Sequence, residues 1–600
     1  MKVRHFDSSS SPITSCCALS TSSPAFSLRF LPAQWLIQEA PAQSKFLEMI
    51  PFTVRSIQCL TPIMHFVFLA LGLCFAGALT AAPETPNPGL RYYYPLPPNP
   101  SPQTLRVDVC VYGGTPGGIA AAVQARRMGK TAALAVFRRH VGGLTSAGLT
   151  DVDLGKKESI GGIAAEFLNR MGKWSGFRSA DGERTFRAML AEAGVPVLFE
   201  HRLSAVVKTG NRITALRFEN GDTIEAAMFI DATYEGDLLA RAGVSYHVGR
   251  EGNAVYGEKF NGVFLAKSHQ FRFPVDPYRT PGDSSSGLLP GISPDPLPPR
   301  GTGDRRVQAY NFRMFLNRAA EGRPFPRPEG YDRDAYALLL RYLTSAPAGF
   351  VWDWTYKHGP IKLNLGDCNN AGPVSTDFIG GSDRWPEADY AEREKIFQAH
   401  VTYQQGMMWF LAHDEAVPAA LRAHVATFGL PRDQFEETDG WPHELYVREG
   451  RRMVSAYVMT EHDCTSRKIA PDSVGLASYN MDSHHTSRVV VDGRVLAEGN
   501  VEEGSAHPYP VSYRAIIPRE SECTNLLVPV ALSSSHMAFG SIRMEPVFML
   551  LGQSAGTAAA LALDAKSIVQ AVDYAALRAR LLADGQKLDW TKPKPTKGKP

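Results

Sequence analysis

Between Leu105 and Gly129 the chain reads LRVDVCVYGGTPGGIAAAVQARRMG. An alternating stretch turns wholly apolar, meets a glycine-rich turn and continues into an alanine-rich run with helical spacing. Strand, turn and helix in that order open a doubly wound dinucleotide-binding fold. The chemistry demands small residues there. The first glycine lets the chain turn, the middle one lets backbone N–H groups approach a pyrophosphate, and the last lets helix and strand pack closely. Gly113 and Gly118 hold the outer places, Gly114 follows the first, and Thr115 stands in the middle. Alone, such a turn is a weak signal that an ordinary structural turn also explains.

The next strand, TAALAVF, should end in an acid for the adenosine ribose, about 20 residues past the turn. Val136 stands at that position, so ribose binding must come from another group or be weaker. RRHVGGLTSAGL follows, Arg138 to Leu149, with Gly142 and Gly143 permitting close backbone approach to a planar ring.

A chain of 600 residues exceeds a single hydrophobic core and predicts more than one domain. Hydrophobic residues at 44% and charged residues at 20% exclude an intrinsically disordered protein. The balance of 63 basic against 60 acidic residues, with no basic face interleaved with aromatics, argues against a nucleic-acid binder. The eight cysteines show no Cys-x-x-Cys or Cys/His spacing, so no metal centre or dithiol is expected; a Cys368–Cys464 disulfide stays open.

Phe66 to Ala82, FVFLALGLCFAGALTAA, is apolar and ends in small residues like a signal peptide. The expected organisation is a leader over 1–63, a signal peptide over 64–82 and a proline-rich linker over 83–104. The protein is then exported, secreted or periplasmic, with an uncleaved membrane anchor as the alternative. Residues 587–600 read as a basic disordered tail.

YGGTPGGIAAA, RRHVGGLTSAGL, IGGIAAEFLNRMG, FIDATYEGDLLARAGV and ECTNLLVPVALSSSHMAFGSIRMEPVFMLLGQSAGTAAALA together resemble, in order, the FAD-dependent oxidoreductase family often found among bacterial secreted proteins. The resemblance runs from about Val107 to Leu563. It implies a glutathione-reductase-like, Rossmann-like α/β domain over 105–254 and 514–565, with an inserted α+β substrate domain over 255–513. FAD would be held by Gly113, Gly114, Thr115, Gly118, Arg139, Gly142, Gly143, Leu144, Thr145, Val206, Ala232, Thr233, Ile542, Arg543 and Met544. A helix opening near Arg543 would point its N-terminus at the flavin.

The inserted segment carries a Pro/Gly/Ser-rich loop over Pro274 to Thr302, a strand VQAYNFRMFL, a helix DYAEREKIFQAHVTYQQGMMWFLAH and a hairpin turning at Asp492 and Gly493. The aromatic cluster FVWDWTYKHG, Phe350 to Gly359, suits either a sugar pocket or the core. Proton-transfer candidates are His536, ranked first, and His484, with Arg514 as an anion holder; each has a purely structural alternative. The expected function is hydride transfer from an unidentified small molecule, with carbohydrate as one class, to FAD and then to an unidentified electron acceptor. A flavin-free binding protein and an NAD(P)-dependent dehydrogenase are the competing readings.

Overall fold

The computed structural model describes residues 89–352 and 361–590. The expected leader, signal peptide and most of the basic tail lie outside these residues, as do Asp353 to Gly359 of the aromatic cluster. Phe350 and Trp352 of that cluster pack edge-to-face on each other and on Phe273.

Strand β1 (Thr104–Tyr112) lies at the centre of a sheet whose order is β3 (Val197–Leu198), β2 (Ala132–Ala135), β1, β6 (Thr223–Asp231), β5 (Arg212–Phe218), β4 (Leu203–Thr209). The first four strands are parallel, and β4, β5 and β6 form an antiparallel meander. A late segment, Leu526–Leu527, pairs in parallel with Phe229 and Ile230 of β6. The C-terminal part of the chain therefore completes the sheet, as the resemblance implies.

Helix α1 (Pro116–Arg127) crosses α3 (Glu545–Asp564) with almost no space between them. A side chain at Gly556 would come within 2.5 Å of the Ala121 carbonyl oxygen, and one at Gly552 would strike that of Gly117. The small-residue run LGQSAGTAAALA is thus a helix-contact stripe. Although α3 is long and apolar enough to span a bilayer, 89% of its apolar window is buried in protein, which makes it the core helix.

A short helix, α2 (His536–Ile542), precedes α3, capped by Ser535, whose hydroxyl accepts from the Ala538 N–H. The helix expected to open near Arg543 is α3, which begins at Glu545; the short α2 just before it is not part of that expectation. Pro546, the second residue of α3, has no N–H to donate back to the preceding turn, so α2 cannot run on through it and the chain breaks at Arg543–Met544 and restarts.

The expected long helix is present as Tyr390–His413, capped by Asp389. The expected hairpin pairs Ser487–Val491 with Arg494–Glu498, turning at Asp492 and Gly493, both with positive φ. Of the expected strand VQAYNFRMFL, only the end is in a ladder, as Met314–Arg318. The described residues form one compact unit, and Phe312 and Phe397 of the inserted segment share a core with Val111 and Leu551. The proline-rich entry segment is in part packed onto this unit: Tyr92 is buried and stacks on Phe137 at 4.9 Å. Cys110, Cys368, Cys464 and Cys523 are buried free thiols, so Cys368 and Cys464 are not bridged.

Candidate functional site

The C-terminal ends of β1, β2 and β6 open onto a narrow cleft whose wall includes Gly113, Gly114, Thr115, Val136, Gly143 and Thr233. Gly113 has φ +118°, and a Cβ there would lie 2.5 Å from the Ala232 carbonyl carbon. At Gly118 a Cβ would collide with the Gly113 carbonyl oxygen. Thr115 serves the turn well: its hydroxyl donates to Ala232 O (2.7 Å) and accepts from Gly118 N–H (3.2 Å), capping α1. The N-terminus of α1 thus faces the cleft, the arrangement that attracts phosphate.

The second glycine loop is tied to the first, Gly142 N–H donating to Gly114 O at 2.7 Å. Cβ atoms at Gly142 and Gly143 would strike Ser146 Oγ and Tyr234 Oη. Tyr234 accepts from Leu144 N–H (3.1 Å) and donates to Glu545 Oε1 (2.7 Å), binding the loop to the start of α3. Burial raises Glu545 to about 8, the Tyr234 hydrogen bond only partly offsetting this. Thr145 Oγ1 and Ser146 Oγ are buried without a hydrogen-bond partner among the described residues. Such hydroxyls are costly unless a ligand satisfies them.

The same loop continues into a second cavity of about 320 Å³, walled by Asp151, Asp153, Arg313, Tyr446, Asp482 and His484 among others. The Thr150 and Asp151 N–H groups both donate to Asp367 Oδ2 at 3.0 Å, and Arg313 pairs with the same carboxylate at 2.8 and 2.6 Å. His484 Nδ1 lies 2.7 Å from Asp377 Oδ2, and its Nε2 lies 3.5 Å from Asp482 Oδ2. Arg543 donates to Asp482 Oδ2 (3.0 Å) and to Tyr446 Oη (2.9 Å). Burial works against the Asp482 carboxylate, but His484 and Arg543 hold it well below its usual range.

His536 sits elsewhere. Its Nδ1 is 2.7 Å from Glu449 Oε2 and its Nε2 3.0 Å from Ser483 Oγ. That order is the one used in serine hydrolases, yet all three side chains are buried and Ser483 is 0% exposed, so no substrate reaches it. Burial opposes the Glu449 charge, but His536 and Arg452 lower its pKa to about 2. Arg514 is nearly half exposed and pairs with Asp472. Val206 lies on the outer hairpin opposite Leu216, and Arg139 pairs with Glu200. Of the adjacent arginines it is Arg138 that enters the cleft wall, and it donates to His443 O. Ile542 and Met544 are buried beside Arg543.

His140, Glu437 and His443 bring three potential metal-ligand atoms within 4.8 Å of one another. The two imidazoles are stacked at 3.8 Å, however, so their in-plane lone pairs run side by side rather than converging. Burial disfavours the His140 imidazolium, but Glu183 and Glu437 outweigh it and raise the group to about 9.

Sequence reasoning does not single out Arg138, Asp153, Arg313, Glu444, Tyr446 or Asp482. Asp151 and Asp153 follow the glycine loop directly, and Asp482 stands two residues before His484, so those carry a local signal.

A family model described as FAD dependent oxidoreductase matches residues 108–581. No curated protein matches the chain. Solved structures that match include a geranylgeranyl bacteriochlorophyll reductase-like protein from Thermoplasma acidophilum, 19% identical over 24% of this chain and 43% of that one, with a TM-score of 0.18. Thermovibrio ammonificans THI4 is 21% identical over 24% of this chain and 66% of that one, with a TM-score of 0.21. L-proline dehydrogenase from P. horikoshii is 12% identical over 25% and 59%, with a TM-score of 0.20. The chain thus spans less than two thirds of the length of each of these.

Proposed function

The chain belongs to the FAD-dependent oxidoreductase family, with FAD as cofactor, and from that premise we propose that it oxidises a small polar molecule held in the cavity beside His484. The observation that carries this reading is the course of one loop. It bears Gly142, Gly143 and the unpartnered hydroxyls of Thr145 and Ser146, and continues directly into Asp151 and Asp153 on the cavity wall.

The residues present fit FAD. The glycines at 113, 118, 142 and 143 let the two loops pack so closely on neighbouring protein atoms that none could carry a Cβ. Gly113, Gly114 and Gly143 line the cleft, and two buried hydroxyls beside it have no partner among the described residues. The α1 N-terminus would hold the pyrophosphate. Bound FAD supplies the acceptor for a hydride.

The protein's own part is to hold the substrate and manage a proton. Arg313, Lys362 and the acids at 151, 153 and 482 give the cavity donors and acceptors suited to a hydroxyl-rich or zwitterionic molecule, a sugar being one candidate. When a C–H bond is oxidised next to a hydroxyl or amine, the O–H or N–H proton must leave. His484 Nε2 is placed to take it, with Asp377 orienting the ring through Nδ1 and stabilising the imidazolium. His536 then acts in the core rather than on substrate. Screening sugars, polyols, hydroxy acids and amino acids for anaerobic bleaching of the flavin tests the proposal; no bleaching by any class, with FAD bound, would overturn it. Export is proposed with it, on the apolar run 66–82, and N-terminal sequencing of the secreted chain tests that.

A further inference from the structure

The position where a ribose-binding acid belongs is filled by Val136, and Val136 lies in the cleft wall, so β2 presents a methyl surface there. Three acids from other parts of the chain enter the same wall: Glu235, Asp237 and Glu444. Asp237 is committed, since Arg393 takes both its oxygens at 2.7 and 2.9 Å and Arg451 adds a third bond at 2.8 Å. Glu235 accepts from Trp385 Nε1 at 3.3 Å. Glu444 has no hydrogen-bond or ion-pair partner among the described residues; burial pushes its carboxyl above the usual range, an effect that the nearby Arg138 and His140 offset only in part.

Its backbone is fixed. His443 on one side is buried, stacks on His140 and accepts from Arg138 through its carbonyl; Leu445 on the other is 2% exposed. Tyr446 N–H donates to Asn311 O at 2.9 Å. A loop of the inserted segment is thereby locked against the residues that follow β2, and it carries a carboxylate into the cleft where β2 has none.

We propose that Glu444 replaces the missing acid of β2 and binds the adenosine ribose hydroxyls of FAD. A ribose diol offers two O–H donors, and a carboxylate without other partners is the acceptor that suits them. The assignment rests on FAD being the cofactor. It makes the inserted segment a part of the cofactor site, which a loss of that segment's fold would disrupt.

The test is flavin binding by the apoprotein, followed by quenching of flavin fluorescence, with FAD, 2′-deoxyadenosine-FAD and FMN as probes. Glu444→Gln should raise the Kd for FAD about tenfold or more, the loss expected for charge-assisted hydrogen bonds. It should leave FMN, which lacks the adenosine, unchanged. Wild type should prefer FAD to the deoxy analogue, and Glu444→Gln should bind both alike. Val136→Glu in the Glu444→Gln background should restore part of the FAD affinity. Thermal melts of the apoproteins, expected to coincide, separate a binding defect from a folding one. Equal FAD affinity in wild type and Glu444→Gln, or a parallel loss of FMN affinity, would overturn the assignment. Failure of the wild-type apoprotein to bind any flavin would instead count against the family reading.

Discussion

Asp377 Oδ2 stands 2.7 Å from His484 Nδ1, and this one contact turns the other ring nitrogen toward Asp482 at the cavity wall. A carboxylate behind one nitrogen fixes the tautomer and stabilises the ring once it is protonated, which is how a histidine is prepared as a base.

His484→Asn should therefore slow flavin reduction by substrate about 10²- to 10⁴-fold, the usual contribution of a positioned base. FAD content and thermal midpoint should stay near wild type. Asp377→Asn should give a smaller loss in the same direction. Stopped-flow absorbance beside a melt checks both, and unchanged reduction in His484→Asn would remove it from the chemistry.

His536→Ala should behave differently. It removes one buried partner of Glu449, which keeps Arg452 and Gln308, so part of the compensation of that buried charge is lost. A lower thermal midpoint is expected, with reduction per bound flavin retained. Glu449 is held below its unfolded value, so its stabilisation is present above about pH 4.5 and fades as pH falls toward 2. Wild type and variant should thus converge in acid. A selective fall in reduction rate at full stability would instead make His536 the base.

Gly118→Val places branched carbons against the Gly113 carbonyl and the Ala232 side chain. The turn must open, and flavin should be lost on gel filtration while secondary structure persists. Bound flavin at the wild-type ratio would show that the turn does not cradle the cofactor.

Glu545 gives a pH signature. Its folded value, about 8, exceeds the unfolded value, so its contribution to stability is complete below about pH 4.5 and is lost as pH rises through 8. The slope approaches about 1.4 kcal/mol per pH unit for one buried group. Glu545→Gln removes this dependence, and its melting advantage over wild type should grow between pH 5 and pH 8. Parallel curves across that range would contradict it.

The Gly113–Gly118 turn is legible in the amino-acid sequence because its chemistry is local: a bulky residue cannot stand there. The hairpin at Asp492 and Gly493 and the capped helix after Asp389 also carry their signals within a few residues. The break between α2 and α3 is local too, through Ser535 and Pro546, and the resemblance places the opening of α3 near Arg543, two residues from its first residue, Glu545. The cleft wall is not legible in this way. Arg138 and His443, or Asp237 and Arg393, meet across more than 150 residues of chain, and nothing in their neighbours announces the pairing. Partner choice likewise decides the histidines: the sequence ranks His536 ahead of His484 by its place before the core helix, and only the folded chain shows what surrounds each ring.

FAD is proposed to lie in the cleft lined by Gly113, Gly114 and Gly143. Purified protein, reconstituted with FAD if needed and desalted, should show flavin absorption bands near one FAD per chain, with FAD identified by mass in the denatured supernatant. A chain that retains no flavin after reconstitution, or that releases a nicotinamide cofactor instead, would contradict it.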